Sequence, residues 1–127
     1  MSKRRLLVVD DEPAIREIAQ VSLETIGGWD TVGAGSGTEA LARVAAERPD
    51  AILLDVMMPG IDGPETVVRL RDEPSTRDIA VVLLTAKVQP SERARLAELP
   101  GVAGVIAKPF DPLTLAAQVA EVVGWAR

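Results

Sequence analysis

Apolar residues fall along this chain in short unbroken runs, separated by longer stretches in which they recur every three or four positions. Leu6, Leu7, Val8 and Val9 make the first run, and Thr31, Val32, Gly33 and Ala34, after Trp29, make a weaker second. Ala51, Ile52, Leu53 and Leu54 are the third, residues 79–84 the fourth and 102–106 the fifth, bent by Gly104. Runs that do not alternate with polar residues belong to strands buried on both faces, the mark of a parallel sheet covered by helices.

The stretches between carry helix signals. Pro13 suits the first turn of a helix in which Ile15, Ile18, Ala19 and Ile26 recur at helical spacing. Ser36 and Glu39 have capping-box spacing ahead of Ala40, Leu41 and Val44, and Asp62 with Pro64 starts a third helix in a similar way. Residues 91–99 form a short charged helix, ended by Pro100 and Gly101. Asp111 followed by Pro112 predicts the start of a last helix running nearly to Arg127. Five βα units with short connections predict a doubly wound α/β domain, a five-stranded parallel sheet in the order 2-1-3-4-5. A single domain over 1–127, with its core in about 5–124 and no further output domain, is the expectation.

That last helix predicts something more. Leu113, Ala116, Ala117, Ala120 and Val123 share one face, the expected core stripe, while Leu115, Val119, Val122 and Ala126 lie nearly opposite. The second set is either scattered apolar surface or a contact face for a partner or a second copy of the chain, giving a homodimer through this helix.

Composition narrows the chemistry. No run approaches the ~18–20 apolar residues of a membrane span, and the short N-terminal apolar stretch is cut off by acids, so a cytoplasmic location without membrane contact is expected. The chain has no cysteine and no histidine, which excludes thiolate metal sites, Cys-His and Ser-His nucleophile pairs and imidazole ligands. A net charge of −5 and three aromatic residues, Trp29, Phe110 and Trp125, argue against nucleic acid as a direct partner.

What remains stands at the strand ends: Asp10 and Asp11 after the first, Asp55 after the third, Thr85 after the fourth and Lys108 with Pro109 after the fifth. In open α/β sheets ligands bind outside the carboxyl ends of strands where the order reverses, here between strands 1 and 3. Alone, each residue has a plain structural reading: an acid pair at a helix start, a loop acid, a strand-end hydroxyl, a solvated lysine, a turn proline. Together they converge. Two carboxylates about 5 Å apart repel by about 3 kcal/mol at an effective dielectric near 20, and a third adds to this. Mg²⁺ relieves that cost, being a hard ion that takes one or two carboxylates, keeps waters and completes its shell with phosphate oxygen. Asp55 is then the nucleophile that forms an acyl phosphate, Asp11 backed by Asp10 holds the metal, Lys108 pairs with a phosphoryl oxygen, and Thr85 donates to another. The Thr85 contact exists in one state only and so biases a conformational equilibrium.

The segments LLVVDDEP, LLDVMMPGIDG, LLTAK and GVIAKPFDP, in this order and spacing, resemble the receiver domain of two-component response regulators over nearly the whole chain. The resemblance implies phosphoryl transfer to Asp55 from a phosphohistidine on a sensor kinase or phosphotransfer protein. It implies a metal set of Asp10, Asp11, Asp55 and the backbone carbonyl of Met57, a cis peptide before Pro109, and an interaction module, not an enzyme. Met57 and Lys87 take the positions that shape water access to the phosphoryl group, and their long side chains predict slow loss of phosphate. One departure is Val105, where the family usually has an aromatic that turns inward with the threonine. Two other classes stay open: an aspartyl-phosphate phosphatase, which lacks here the usual second aspartate two residues after the nucleophile, and a phosphate-independent binding module.

Overall fold

The computed structural model describes residues 3–86 and 89–125. Strands and helices alternate: β1 (Arg5–Val9), α1 (Pro13–Thr25), β2 (Asp30–Ala34), α2 (Gly37–Glu47), β3 (Ala51–Asp55), α3 (Gly63–Asp72), β4 (Ala80–Thr85), α4 (Pro90–Ala97), β5 (Val102–Ala107) and α5 (Leu115–Val123). The sheet is fully parallel, in the order β2-β1-β3-β4-β5. This is the doubly wound parallel sheet, in the strand order, that the alternation of runs predicts.

The unbroken apolar runs serve two cores at once, because successive strand residues point to opposite faces. Leu6, Val8, Leu53, Leu84 and Ile106 pack with Ala19 and Leu23 of α1 and Leu115, Ala116, Val119 and Ala120 of α5. Leu7, Val9, Ile52, Leu54 and Leu83 pack with Ala40 and Val44 of α2 and Val67 and Leu70 of α3.

The helix starts follow their sequence signals. Ser36 Oγ accepts from Glu39 N at 3.0 Å and Asp62 Oδ1 from Glu65 N at 2.9 Å. The returning bond of the Ser36 cap is displaced by one residue: Glu39 Oε1 accepts from Gly35 N at 2.7 Å. In β5 the register slips between Val81 and Val82, which face Val102 and Gly104, so Ala103 is the extra residue.

Two helices are phased differently from the sequence reading. The buried stripe of α1 is Ala19, Ser22 and Leu23, whereas Ile18 is 46% exposed and Ile26 is also open. Asp111 caps a separate turn, accepting from Leu113 N at 2.9 Å through Oδ1, and α5 begins only at Leu115. Leu113 therefore lies in the turn, 75% exposed, and a stripe counted from it is out of phase. The core face of α5 is Leu115, Ala116, Val119 and Ala120, and Gly124 in the left-handed conformation ends the helix. Leu115 and Val119 thus belong to the core and form no contact face. Val122 covers Gly104, where an added Cβ would lie 2.6 Å from Val122 Cγ1. Ala126 lies outside the described residues; of the four residues expected to form a homodimer face, Leu115 and Val119 are buried in the core.

Beyond α5 the chain is fixed by aromatic packing. Trp125 meets Trp29 edge to face at 5.2 Å between ring centroids, and the Arg4 guanidinium lies 4.9 Å over the Trp125 ring. None of the helices among the described residues is long and apolar enough to cross a membrane.

Candidate functional site: an acid pocket at the strand ends

The strand register brings the site together. Val9 pairs with Leu54, so the next residues of β1 and β3, Asp10 and Asp55, stand side by side. Asp55 faces Leu84 of β4, with Thr85 one position beyond, and Thr85 faces Ala107 of β5, with Lys108 one beyond. Thr85 and Lys108 are also tied by a hydrogen bond from Lys108 N to Thr85 O at 2.8 Å.

The loop after β3 is held close. Val56 N donates to Leu84 O at 3.0 Å and Gly63 N to Val56 O at 2.9 Å. A Cβ at Gly63 would stand 2.8 Å from Asp55 O and 2.9 Å from Val56 Cα, both backbone atoms that cannot give way. Glycine at the start of α3 is thus what lets this helix approach the end of β3, a constraint that its place behind the Asp62 cap does not reveal.

Asp10 is 1% exposed, Asp55 4% and Thr85 1%, while Asp11 is open to solvent. Oxygens of Asp10, Asp11 and Asp55 lie within 4.8 Å of one another. Lys108 Nζ sits 2.9 Å from Asp10 Oδ2, 3.2 Å from Asp55 Oδ2 and 3.9 Å from Glu12 Oε1. The Glu12 contact is at the edge of ion-pair range and on an exposed side chain, and nothing in the sequence marks it.

The electrostatics follow from burial and like charge. Burial first, and then the Asp10 charge, push the Asp55 carboxyl above its usual range; Lys108 pulls it down, and Asp11 adds to the rise. For Lys108 burial acts downward, but its contacts with Asp10 and Asp55 outweigh it and raise the ammonium above its ordinary value. One lysine does not satisfy the acids. Asp10 Oδ2 is buried and receives no well-aligned hydrogen bond, even with the ammonium 2.9 Å away. That one ammonium is shared between two buried carboxylates, so the group keeps a net negative charge. An all-oxygen set containing two or three carboxylates is the donor chemistry that a hard divalent cation takes, so the residues fit such an ion.

Lys108–Pro109 is a cis peptide, as the sequence resemblance implies. Met57, in the loop after β3, is 66% exposed. Lys87 lies outside the described residues. Val105 is half-buried against the α3–α4 side of the sheet. Next to the acids is an apolar hollow of about 320 Å³, lined by Ile15, Ile18, Ala86, Lys108, Pro109 and Phe110. The helical spacing of Ile15 and Ile18 gives no sign of it.

The model of the response regulator receiver domain family matches residues 6–120. The chain belongs to this family. Its receiver is 41% identical over 120 residues to the phosphate regulon transcriptional regulatory protein PhoB of Escherichia coli, covering 94% of this chain and 52% of that protein. The chain spans about half the length of the curated relatives it matches. Among solved structures, the receiver superposes on Vibrio cholerae chemotaxis protein CheY4 with a TM-score of 0.86 and 31% identity, covering 95% of this chain and 99% of that one. It superposes on the signal receiver domain of a signal transduction histidine kinase from Syntrophus aciditrophicus with a TM-score of 0.81 and 33% identity, covering 95% and 90%. The chain is a response regulator receiver of two-component signalling.

Proposed function

We propose that this receiver takes a phosphoryl group onto Asp55, in the presence of Mg²⁺, and signals by changing its contacts with another protein. The observation that supports this most is the buried Asp10–Asp55–Lys108 cluster with Asp11 at its open side, where acids outnumber the compensating cation. Asp10, Asp11, Asp55 and the carbonyl of Met57 are the proposed metal ligands. When bound, Mg²⁺ screens the carboxylates and the oxygens of the incoming phosphoryl group.

The chain's own residues do the rest. An Asp55 Oδ attacks phosphorus; the bond from phosphorus to the donor's imidazole nitrogen breaks, and its electron pair stays on the imidazole. Lys108, already 3.2 Å from Asp55 Oδ2, stays close enough to pair with a phosphoryl oxygen as the Asp55 carboxylate becomes an acyl phosphate. The Thr85 hydroxyl, at the adjoining strand end, donates to another oxygen only in the phosphorylated state, which gives that state a contact the other lacks.

The donor is a sensor histidine kinase or a phosphotransfer protein. The apolar hollow of Ile15, Ile18 and Phe110 beside the pocket offers such a protein a seat next to the acceptor. With Val105 in place of an aromatic, the response starts from Thr85. The helix α4 lies against β5 with Leu96 partly buried on the core, but buries none of its residues fully. Met57 shields the phosphoryl group, and phosphate is lost slowly; a half-life of seconds contradicts this. The receiver acts on no substrate but itself.

The test is incubation with acetyl phosphate, with and without Mg²⁺, followed by intact mass of wild type and Asp55→Asn. A gain of one phosphoryl group that needs both the metal and Asp55 supports the proposal. Absence of any gain, or an equal gain in the variant, overturns it.

A further inference from the structure

Arg16 has no part in the chemistry above, yet it touches the acid pocket. Its Nη1 donates to the main-chain carbonyl of Asp10 at 2.7 Å. The Asp10 N–H is held from the other side by Ala34 O, at 3.1 Å, and Asp10 Oδ1 accepts from Glu12 N at 3.0 Å. The peptide linking the two acids is therefore gripped on its carbonyl by one guanidinium.

That grip depends on how α1 lies over the edge strand. Arg16, Gln20 and Glu24 follow each other at four-residue spacing along α1, and Thr31, Gly33 and Gly35 alternate along β2 and its exit. Gln20 Nε2 donates to Thr31 Oγ1 at 3.1 Å, and Thr31 Oγ1 donates to Glu24 Oε2. Where Arg16 passes, both strand residues are glycine. A Cβ on Gly33 would lie 2.8 Å from Gln20 Oε1 and 3.2 Å from Arg16 Cδ; one on Gly35 would lie 3.3 Å from Arg16 Nη1. Neither glycine has a positive φ, so close approach of side chains, not backbone conformation, accounts for them.

We infer that Arg16 is a positioning residue for the acid pocket: passing over Gly33 and Gly35, it fixes the Asp10 carbonyl, and through it the direction in which Asp10 and Asp11 present their carboxylates to a divalent cation. This rests on the proposed metal-assisted acceptor role. Outer contacts of this kind orient metal ligands, and their loss typically costs about 10–100-fold in affinity. The inference also has a sign that a charge effect lacks. Removing a positive charge beside acids favours a cation, whereas loosening the acids disfavours it.

The experiment is titration calorimetry of Mg²⁺ into wild type, Arg16→Met, Arg16→Lys, Gly33→Ala and Gly35→Ala, with thermal unfolding of each in EDTA. Acetyl phosphate labelling at saturating Mg²⁺ runs beside it. Arg16→Met is expected to weaken Mg²⁺ binding by about 10–100-fold, Arg16→Lys by less because an ammonium can reach the same carbonyl. Gly33→Ala, whose Cβ would crowd Arg16 Cδ at 3.2 Å and Gln20 Oε1 at 2.8 Å with Arg16 still present, is expected to weaken binding in the same direction, as is Gly35→Ala to a smaller extent, which keeps the test valid if Arg16→Met does not fold. Labelling recovers at saturating metal. Unchanged or tighter Mg²⁺ binding in the folded variants overturns the inference, whatever their melting points. A wild type that binds no Mg²⁺ and takes no phosphoryl group overturns instead the acceptor role on which it rests.

Discussion

Replacing Asp55 by asparagine should stabilise the metal-free protein at neutral pH. Acid oxygens in the pocket lie within 4.8 Å of one another, and at that distance each neighbouring carboxylate repels Asp55 by about 3.5 kcal/mol at an effective dielectric of about 20. Lys108, 3.2 Å from Asp55 Oδ2, returns about 5 kcal/mol on the same scale. With Asp11 open to solvent and screened, the repulsions and the attraction nearly cancel, and the cost of desolvating the buried carboxylate, the largest cause of its raised range, leaves the charge unfavourable by about 2 kcal/mol. Asparagine removes the charge at nearly the same volume. For a domain of this length a gain of about 2 kcal/mol is a rise in melting temperature of roughly 6–10 °C.

The pH dependence fixes the sign independently. A carboxyl held above its usual range binds its proton more tightly in the native state than in the unfolded chain. Its stabilising share is present below the unfolded value of 3.8 and is lost as pH rises through the folded value. The advantage of Asp55→Asn should therefore be small in acid, open as the pH climbs above 3.8, and be complete once Asp55 is ionised. Mg²⁺ should narrow it by stabilising the wild type more than the variant. Circular dichroism melts of both proteins across this pH range, in EDTA and in Mg²⁺, measure it. A variant that melts at or below the wild type in EDTA at neutral pH would refute the electrostatic reasoning.

Other residues give sharper contrasts. Lys108→Met leaves the buried acids without their cation and should cost about 3–5 kcal/mol by chemical denaturation at neutral pH. Because Lys108 is raised above its ordinary 10.5, its stabilising share is present below that value and fades as pH rises through the folded value; wild type should lose stability in this alkaline range and the variant should not. Val119→Glu puts a charge into the core and should cost about 4 kcal/mol or more, or prevent folding, whereas Leu113→Glu in the exposed turn should change stability by no more than about 0.5 kcal/mol; equal effects would contradict the phase of α5. Trp125→Ala removes the edge-to-face contact with Trp29 and the Arg4 stack and should cost about 1–3 kcal/mol, with a change in Trp29 fluorescence that an unaltered spectrum would rule out.

The fold and the pocket were legible for one reason: in a parallel sheet the strand is an unbroken apolar run, and its end is where the run breaks. Leu6 to Val9 stops at Asp10, Ala51 to Leu54 stops at Asp55, and register then brings the two acids together without further information. Helix phase was less legible. In α5 apolar residues occupy both sides, so periodicity alone does not choose the buried one, and counting from Leu113 failed because a capped turn separates it from the helix. In α1 the isoleucines mark not the core but the hollow beside the pocket, while Ala19 and Leu23 do the packing. Arg16 carries no signal as a lone arginine on a helix. Its trace in the sequence is indirect, in the glycines that break an otherwise ordinary edge strand.

The central claim is that Asp55 is the residue that carries the phosphoryl group. Treating the chain with acetyl phosphate and Mg²⁺, reducing it with sodium borohydride and sequencing its peptides by mass spectrometry locates the acyl phosphate, because reduction turns the modified aspartate into homoserine. The account predicts homoserine at position 55 and nowhere else, lost when Mg²⁺ is withheld. Homoserine at Asp10 or Asp11, or at no aspartate of the chain, would contradict it.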